Sequence, residues 1–159
     1  MAFPSVRTFG DGNIRARQSS ARRDVFSGKR PTNLGVREGR LARCKRTPNC
    51  VSSQADPGDR EHYIEPIAFA GEPAAAMAAL RGALEAVPGA RIVEAQADYL
   101  YAECRSRVMG FVDDVEFTLD AAAGVFQLRS AARLGRRDFG VNRARIESLR
   151  RAMAAPIKD

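Results

Sequence analysis

The sequence predicts an α+β fold: a two-layer sandwich in which a small antiparallel sheet of three or four strands carries two helices on one face. Three observations predict it. Apolar residues recur at three- and four-residue steps in two segments, they alternate with polar residues in the stretch between, and turn-forming groups divide that stretch. The chain has 159 residues, 45% hydrophobic and 28% charged, which suits a globular chain long enough for one core.

Taken in order, residues 1–37 mix Gly, Pro, Ser, Asn and Arg without an apolar period, which predicts a basic, disordered N-terminal segment. Residues 38–66 stay irregular through Pro48, Pro57, Gly58 and Pro66 but carry anchors at Leu41, Val51, Tyr63 and Ile64. They read as a loop laid across a single domain that spans 38–154, followed by a tail at 155–159. A helix begins near Pro73, a residue tolerated in a first turn; Met77, Leu80, Leu84 and Val87 form its stripe and Pro88-Gly89 stops it.

Ile92-Val93 opens the strand region. From Asp98 to Arg107, Leu100, Ala102, Cys104 and Ser106 fall on one face, and Tyr99, Tyr101, Glu103, Arg105 and Arg107 on the other. Val115, Phe117 and Leu119 alternate with Asp114, Glu116 and Thr118. Ala121–Gly124 form a turn, and in Val125–Ser130 Phe126 and Leu128 oppose Gln127 and Arg129. A closing helix runs from about Val141 to Ala154, with Asn142, Ile146, Leu149 and Met153 on one face and Arg143, Arg145, Arg150 and Arg151 over much of the rest.

The net charge of +7 is unevenly placed. Residues 1–46 hold 12 Lys or Arg against three acids, a net of +9, whereas residues 47–159 hold 14 basic and 16 acidic residues. The body is therefore nearly neutral. The N-terminal segment could bind polyanions weakly and nonspecifically through counterion release, although charge runs are more often solvated faces. No run approaches the roughly 20 apolar residues of a membrane span, and no apolar core of a secretory signal precedes the domain. The Arg- and Ser-rich start overlaps in composition with transit peptides, but Asp11 and Asp24 interrupt it, and Ala- and Arg-heavy usage with three Lys fits a GC-rich bacterial genome as well. The default location is cytoplasmic.

Chemistry-bearing residues are few. Cys44 and Cys50 flank the turn-forming Thr47-Pro48-Asn49, so a local bridge is possible in an oxidising compartment; without an export signal two free thiols are favoured. Cys50 as nucleophile with His62, the one histidine, as base is the sharpest catalytic reading, set against a buried cysteine and a hydrogen-bonded loop histidine. Asp113, Asp114 and Glu116 could serve a cation or acid–base work, but alternation puts Asp113 opposite the other two, which favours pairing with Arg105 or Arg129. Tyr99, Tyr101, Arg105, Glu116 and Arg129 share a polar sheet face that could hold an anionic or planar ligand, or simply face solvent. No metal-ligand spacing, P-loop, nucleophile elbow or internal repeat is present, and no cofactor is expected.

Four strings in order, Thr47-Pro48-Asn49-Cys50-Val51-Ser52-Ser53-Gln54, His62-Tyr63-Ile64-Glu65-Pro66, Gly110-Phe111-Val112-Asp113-Asp114-Val115-Glu116-Phe117 and Gly140-Val141-Asn142-Arg143, resemble the family known as domain of unknown function 1499. The resemblance runs from about Gly35 to Met153. It implies no assigned activity; its members occur in bacteria and plant plastids, some with a membrane or export segment, so it implies an envelope or plastid location as an alternative. The chain departs from the pattern at Lys45, where proline is frequent, and at Cys104, where an aromatic is usual; Cys104 is accordingly expected in the core. Together these readings give an uncharacterised binding or interaction module, with a thiol- or carboxylate-dependent hydrolase as the alternative.

Overall fold

A computed structural model describes residues 26–154. Within them six strands form one antiparallel sheet: β1 (Cys50–Ser52), β2 (Ile67–Ala68), β3 (Ala90–Ala95), β4 (Tyr99–Arg105), β5 (Val112–Asp120) and β6 (Val125–Ala132). Two helices, α1 (Pro73–Glu85) and α2 (Val141–Ala154), complete the regular structure. The sheet order is β1-β6-β5-β4-β3, and β2 also pairs with β6. Strands β3 to β6 are thus a meander in which each strand lies beside the next, the arrangement that short turns favour.

The α+β class holds, but the sheet has six strands rather than three or four. The extra two are β1 and β2, within or next to the stretch read as loop. Their lengths of three and two residues are too short for a period-two signal. They form because β6 would otherwise end the sheet with unpaired amides and carbonyls. β1 covers the Arg129–Ala131 part of that edge and β2 the Val125–Phe126 part.

Cross-strand register sorts the side chains into two faces. Leu100, Phe117 and Leu128 stand opposite one another in one row, and Ala102, Val115 and Ser130 in the next. Both helices pack on this face and pack on each other. Leu80 and Leu84 from α1 and Ile146 and Leu149 from α2 meet Phe117, Phe126 and Leu128, all at most 1% exposed. Removing each such side chain from water stabilises the fold by roughly 1.5–3 kcal/mol. α1 is rich in alanine and starts on Pro73 at its first turn, as the sequence indicates.

The other face is not open. Residues 26–48 run across it as an irregular third layer. Leu41 packs with Tyr99 and Tyr101, joined by Leu34 and Val93. The ring of Phe26 meets that of Phe111 edge to face at 5.5 Å. The boundary expected at residue 37 therefore falls inside a packed segment. The segment lacks a period because its backbone turns repeatedly, with positive φ at Gly35, Glu38 and Gly39, while single anchors at Leu34 and Leu41 do the packing. The expectation of disorder for residues 1–25 and the tail at 155–159 lie outside the described residues.

Two glycines separate backbone demand from propensity. Gly89, between α1 and β3, has φ 81, and a Cβ there would lie 2.2 Å from the Arg105 carbonyl oxygen. Gly82 sits inside α1 with nothing within 4 Å of where its Cβ would be. Denaturant unfolding should show Gly89→Ala destabilised by about 3 kcal/mol from strain and clash. Gly82→Ala should be stabilised by about 0.5–1 kcal/mol through helix propensity. Equal effects would contradict this account of the α1–β3 turn.

Candidate functional site

Under residues 26–48 the polar sheet face is a closed ionic network. Glu116 on β5 is fully buried, and its Oε1 accepts hydrogen bonds from the Gly35 amide at 2.7 Å and the Tyr99 hydroxyl at 2.8 Å. Its Oε2 meets Arg129 Nη1 at 3.2 Å. Beside it Asp114, 1% exposed, accepts from Tyr101 at 2.6 Å and from both Nε and Nη2 of Arg133, at 2.9 and 2.7 Å. Arg133 then reaches Glu103 at 2.6 Å, which Arg91 and Arg30 also hold, at 2.8 and 2.6 Å. Burial would lift the Glu103 pKa, but the guanidiniums of Arg133, Arg91 and Arg30 outweigh it and bring it down to about 2. Burial, then the adjacent carboxylates, push the Tyr99 and Tyr101 hydroxyls well above their ordinary value, so both stay protonated donors.

This corrects the expected open face. Tyr99, Glu116 and Arg129 are buried and bonded to one another, Tyr101 is buried and bonded to Asp114 and Arg133, and only Arg105, half-buried at the end of β4, approaches the surface. The physical reason is the cost of leaving carboxylates and tyrosines on a strand face that a third layer dries: they must pair or be removed. Arg129 Nε is buried without a hydrogen-bond partner, one unspent donor in the network.

On the helix side, Asp113 faces away from Asp114 and Glu116, as alternation requires. Arg145 of α2 bonds it at 2.6 Å and donates through Nη1 to Asn142 Oδ1 at 2.7 Å. Asn142 is also bonded to Ser130, to the Asn49 carbonyl and to Asp138, whose Oδ2 accepts its amide and its side chain at 3.0 and 2.8 Å. Arg143 donates to the carbonyls of Arg60, Glu61 and Tyr63. The first turn of α2 thus fastens the strings around Asn49, His62 and Asp113 to one node. The three carboxylates do not converge, and among the described residues no group of three or more His, Cys, Asp and Glu could hold a metal ion.

Cys44 and Cys50, favoured in sequence as free thiols, are bonded at 2.02 Å between sulfurs. Cys50 is buried on β1. His62 Nδ1 lies 2.7 Å from Asp59 Oδ2 and Nε2 lies 3.2 Å from the Thr47 carbonyl. Both partners only accept, so satisfying both bonds requires the imidazolium. Burial opposes the charge, but the Asp59 and Thr47 bonds outweigh it and raise the His62 pKa. Cys104 is buried, and burial raises its thiol pKa.

His62 borders a basin of about 480 Å³, enclosed by residues 40–44 on one side and by Ser52, Gln54–Pro57 and Asp59 on the other. Cys44 lines it; Cys50 does not. Sequence reasoning singled out His62 and the cysteines but missed Arg133 and Arg145. Arg133 stands just beyond the predicted last strand, and Arg145 lies among the arginines that cover the helix outside its apolar stripe. An asparagine on the apolar stripe of α2 was the one signal of a buried polar node.

Removing one partner of a buried pair leaves an uncompensated charge. Glu116→Ala or Arg129→Ala should each destabilise by about 3–5 kcal/mol, and the Glu116→Leu, Arg129→Met double variant by much less than the sum of the singles. Additive losses in a denaturant double-mutant cycle would contradict the pairing. Two pH limbs should also appear. Glu103, depressed from 4.5 to about 2, stabilises above the unfolded value and loses its contribution as pH falls from about 4.5 through 2, on the order of 2–3 kcal/mol. His62, raised, stabilises fully below about 6.5 and loses its contribution as pH rises through its higher folded value. His62→Gln should remove the second limb and leave the first.

No curated protein matches this chain. A family model described as protein of unknown function (DUF1499) matches residues 40–153, which takes in α1, α2 except its last residue, the six strands of the described residues and the Asn49, His62, Asp113 and Asn142 node. The chain belongs to that family of proteins of unknown function.

Proposed function

We propose that the domain is a binding module for a small anion, and that the ligand sits in the basin beside His62 rather than on the covered sheet face. The doubly hydrogen-bonded His62 carries the reading, because both contacts favour the imidazolium on the basin wall at pH below its raised pKa. Arg40 and Arg43 add two guanidiniums to the same wall. Arg40 spends one donor on the Gln54 carbonyl at 2.8 Å, and Arg43 lies exposed at the rim. Of the basin's acids, Asp59 is engaged by His62 and by the amides of Glu61 and His62, and Asp56 accepts from the Gly58 amide. A carboxylate or phosphate of modest size would meet unspent arginine donors in bidentate geometry. A planar group stacked on the sheet tyrosines would first have to displace Leu34 and Leu41.

The thiol form of the thiol- or carboxylate-dependent hydrolase alternative would need Cys50 reduced and His62 deprotonated, and the Cys44–Cys50 bond and the two His62 contacts support the anion reading over it. Iodoacetamide labelling without reductant near pH 6 should leave Cys50 unmodified; stoichiometric labelling there would revive the thiol reading.

Calorimetric titration at low salt with inorganic phosphate and with citrate tests the anion site. At least one should bind, and the Arg40→Ala, Arg43→Ala double variant should bind it about tenfold or more weakly, as expected for lost charge-assisted hydrogen bonds. Absence of binding by either anion, or unchanged affinity in the double variant, would contradict the assignment.

A further inference from the structure

The sheet has a basic, apolar-tipped end and an acidic end. The β4–β5 turn (106–111) and the segment leaving β6 (133–140) emerge side by side, because Asp113 pairs with Ala132 and the Arg133 amide bonds the Val112 carbonyl. The 45–48 loop joins them, since Asn49 accepts the Ala132 amide and its side chain donates to the Gly135 carbonyl. Exposed at this end are Lys45, Arg46, Arg107, Arg136 and Arg137. Asp138 is consumed by the amides and side chain at the start of α2, and Glu61 borders the shallow groove beside Arg137 and Phe139. The opposite end, at the turns 96–98 and 121–124, exposes Glu72, Glu94 and Asp98.

Apolar side chains project from the basic end. Val108 is 92% exposed, Met109 52%, Val141 51% and Phe139 94%. Phe139 is the telling one. Its backbone has φ 53, a left-handed conformation that costs a bulky residue and suits Gly or Asn. Burial of its ring does not offset that cost, because the ring stands in water. The fold gains nothing from phenylalanine here, and a strained, exposed aromatic at such a position points to use outside the fold.

We infer that this end of the domain docks on an anionic lipid bilayer, with Phe139, Val108 and Met109 entering the interface and the surrounding Lys and Arg side chains meeting lipid phosphates. The geometry fits a soft surface better than a protein partner: the apolar groups sit on separate loop tips ringed by cations, not in one flat dry patch. A groove of about 570 Å³ on the same end is lined by Gly89, Arg91, Arg105 and Arg107, together with the Glu103 carboxylate that Arg91 holds. No helix among the described residues is long and apolar enough to cross a membrane.

Vesicle co-sedimentation of the full chain tests the inference, using phosphatidylcholine alone and phosphatidylcholine with about one quarter phosphatidylglycerol. Binding should require the anionic lipid and weaken with salt, each surface cation contributing about fivefold. Phe139→Asn should keep or raise the melting temperature by relieving the backbone, yet weaken vesicle binding by about tenfold through the lost ring. Val108→Ser, equally exposed, should act in the same direction without altering folding. Failure to bind the anionic vesicles would overturn the inference. So would binding that Phe139→Asn and Val108→Ser leave intact, or equal affinity for heparin with the same indifference to both variants, since either would reduce the surface to a polyanion-binding charge patch.

Discussion

A fully buried glutamate sets the constraint on which this architecture depends. Glu116 lies at the centre of the sheet, in β5, with no solvent exposure. A carboxylate there is tolerated only with its lone pairs filled, and the fillers come from three places: Tyr99 on β4, Arg129 on β6 and the Gly35 amide of the covering segment. Glu116 thus ties the sheet to its third layer. Asp114 and Glu103 extend the same logic outward through Arg133, and Arg30 of the segment bonds Glu103, so the segment is seated by charge as well as by Leu34 and Leu41. A buried ionic network of this kind contributes less net stability than an apolar layer of equal volume, and its stronger effect is to fix where the covering chain must lie.

Much of this was legible in the sequence. Helix spans and strand faces followed from periodicity: α2 was read at its observed limits, and the alternation of Leu100–Cys104 against Tyr99–Arg105 gave the correct faces. What periodicity cannot carry was lost. β1 and β2 are shorter than one period, and residues 26–48 hold their place with single anchors and backbone turns rather than a repeat. The error on the polar face followed from that. Without the covering segment, Tyr99, Glu116 and Arg129 look like a wet surface; with it, the same residues are an interior.

The candidate chemistry shifted for a related reason. Residue type marked Cys50 and His62 as reactive, but reactivity depends on partners that spacing does not reveal. The Cys44 sulfur and two acceptor-only groups around the imidazole give a cross-link and an imidazole whose charged form is favoured. His62 lines a basin, and the first turn of α2 holds that basin's loop through Arg143. Binding at an arginine-lined hollow and docking through a basic sheet end draw on separate residues, so either could stand without the other.

The closed polar face exists only if the covering segment is part of the fold. Amide hydrogen exchange followed by mass spectrometry on peptides spanning residues 30–41 tests it most directly, because the Gly35 and Leu41 amides are bonded to Glu116 and Gln54 side chains. Protection there should approach that of β5 and disappear on global unfolding. Exchange at the rate of an unstructured chain, with β5 still protected, would mean that the polar face is open and its carboxylates are free for a ligand after all.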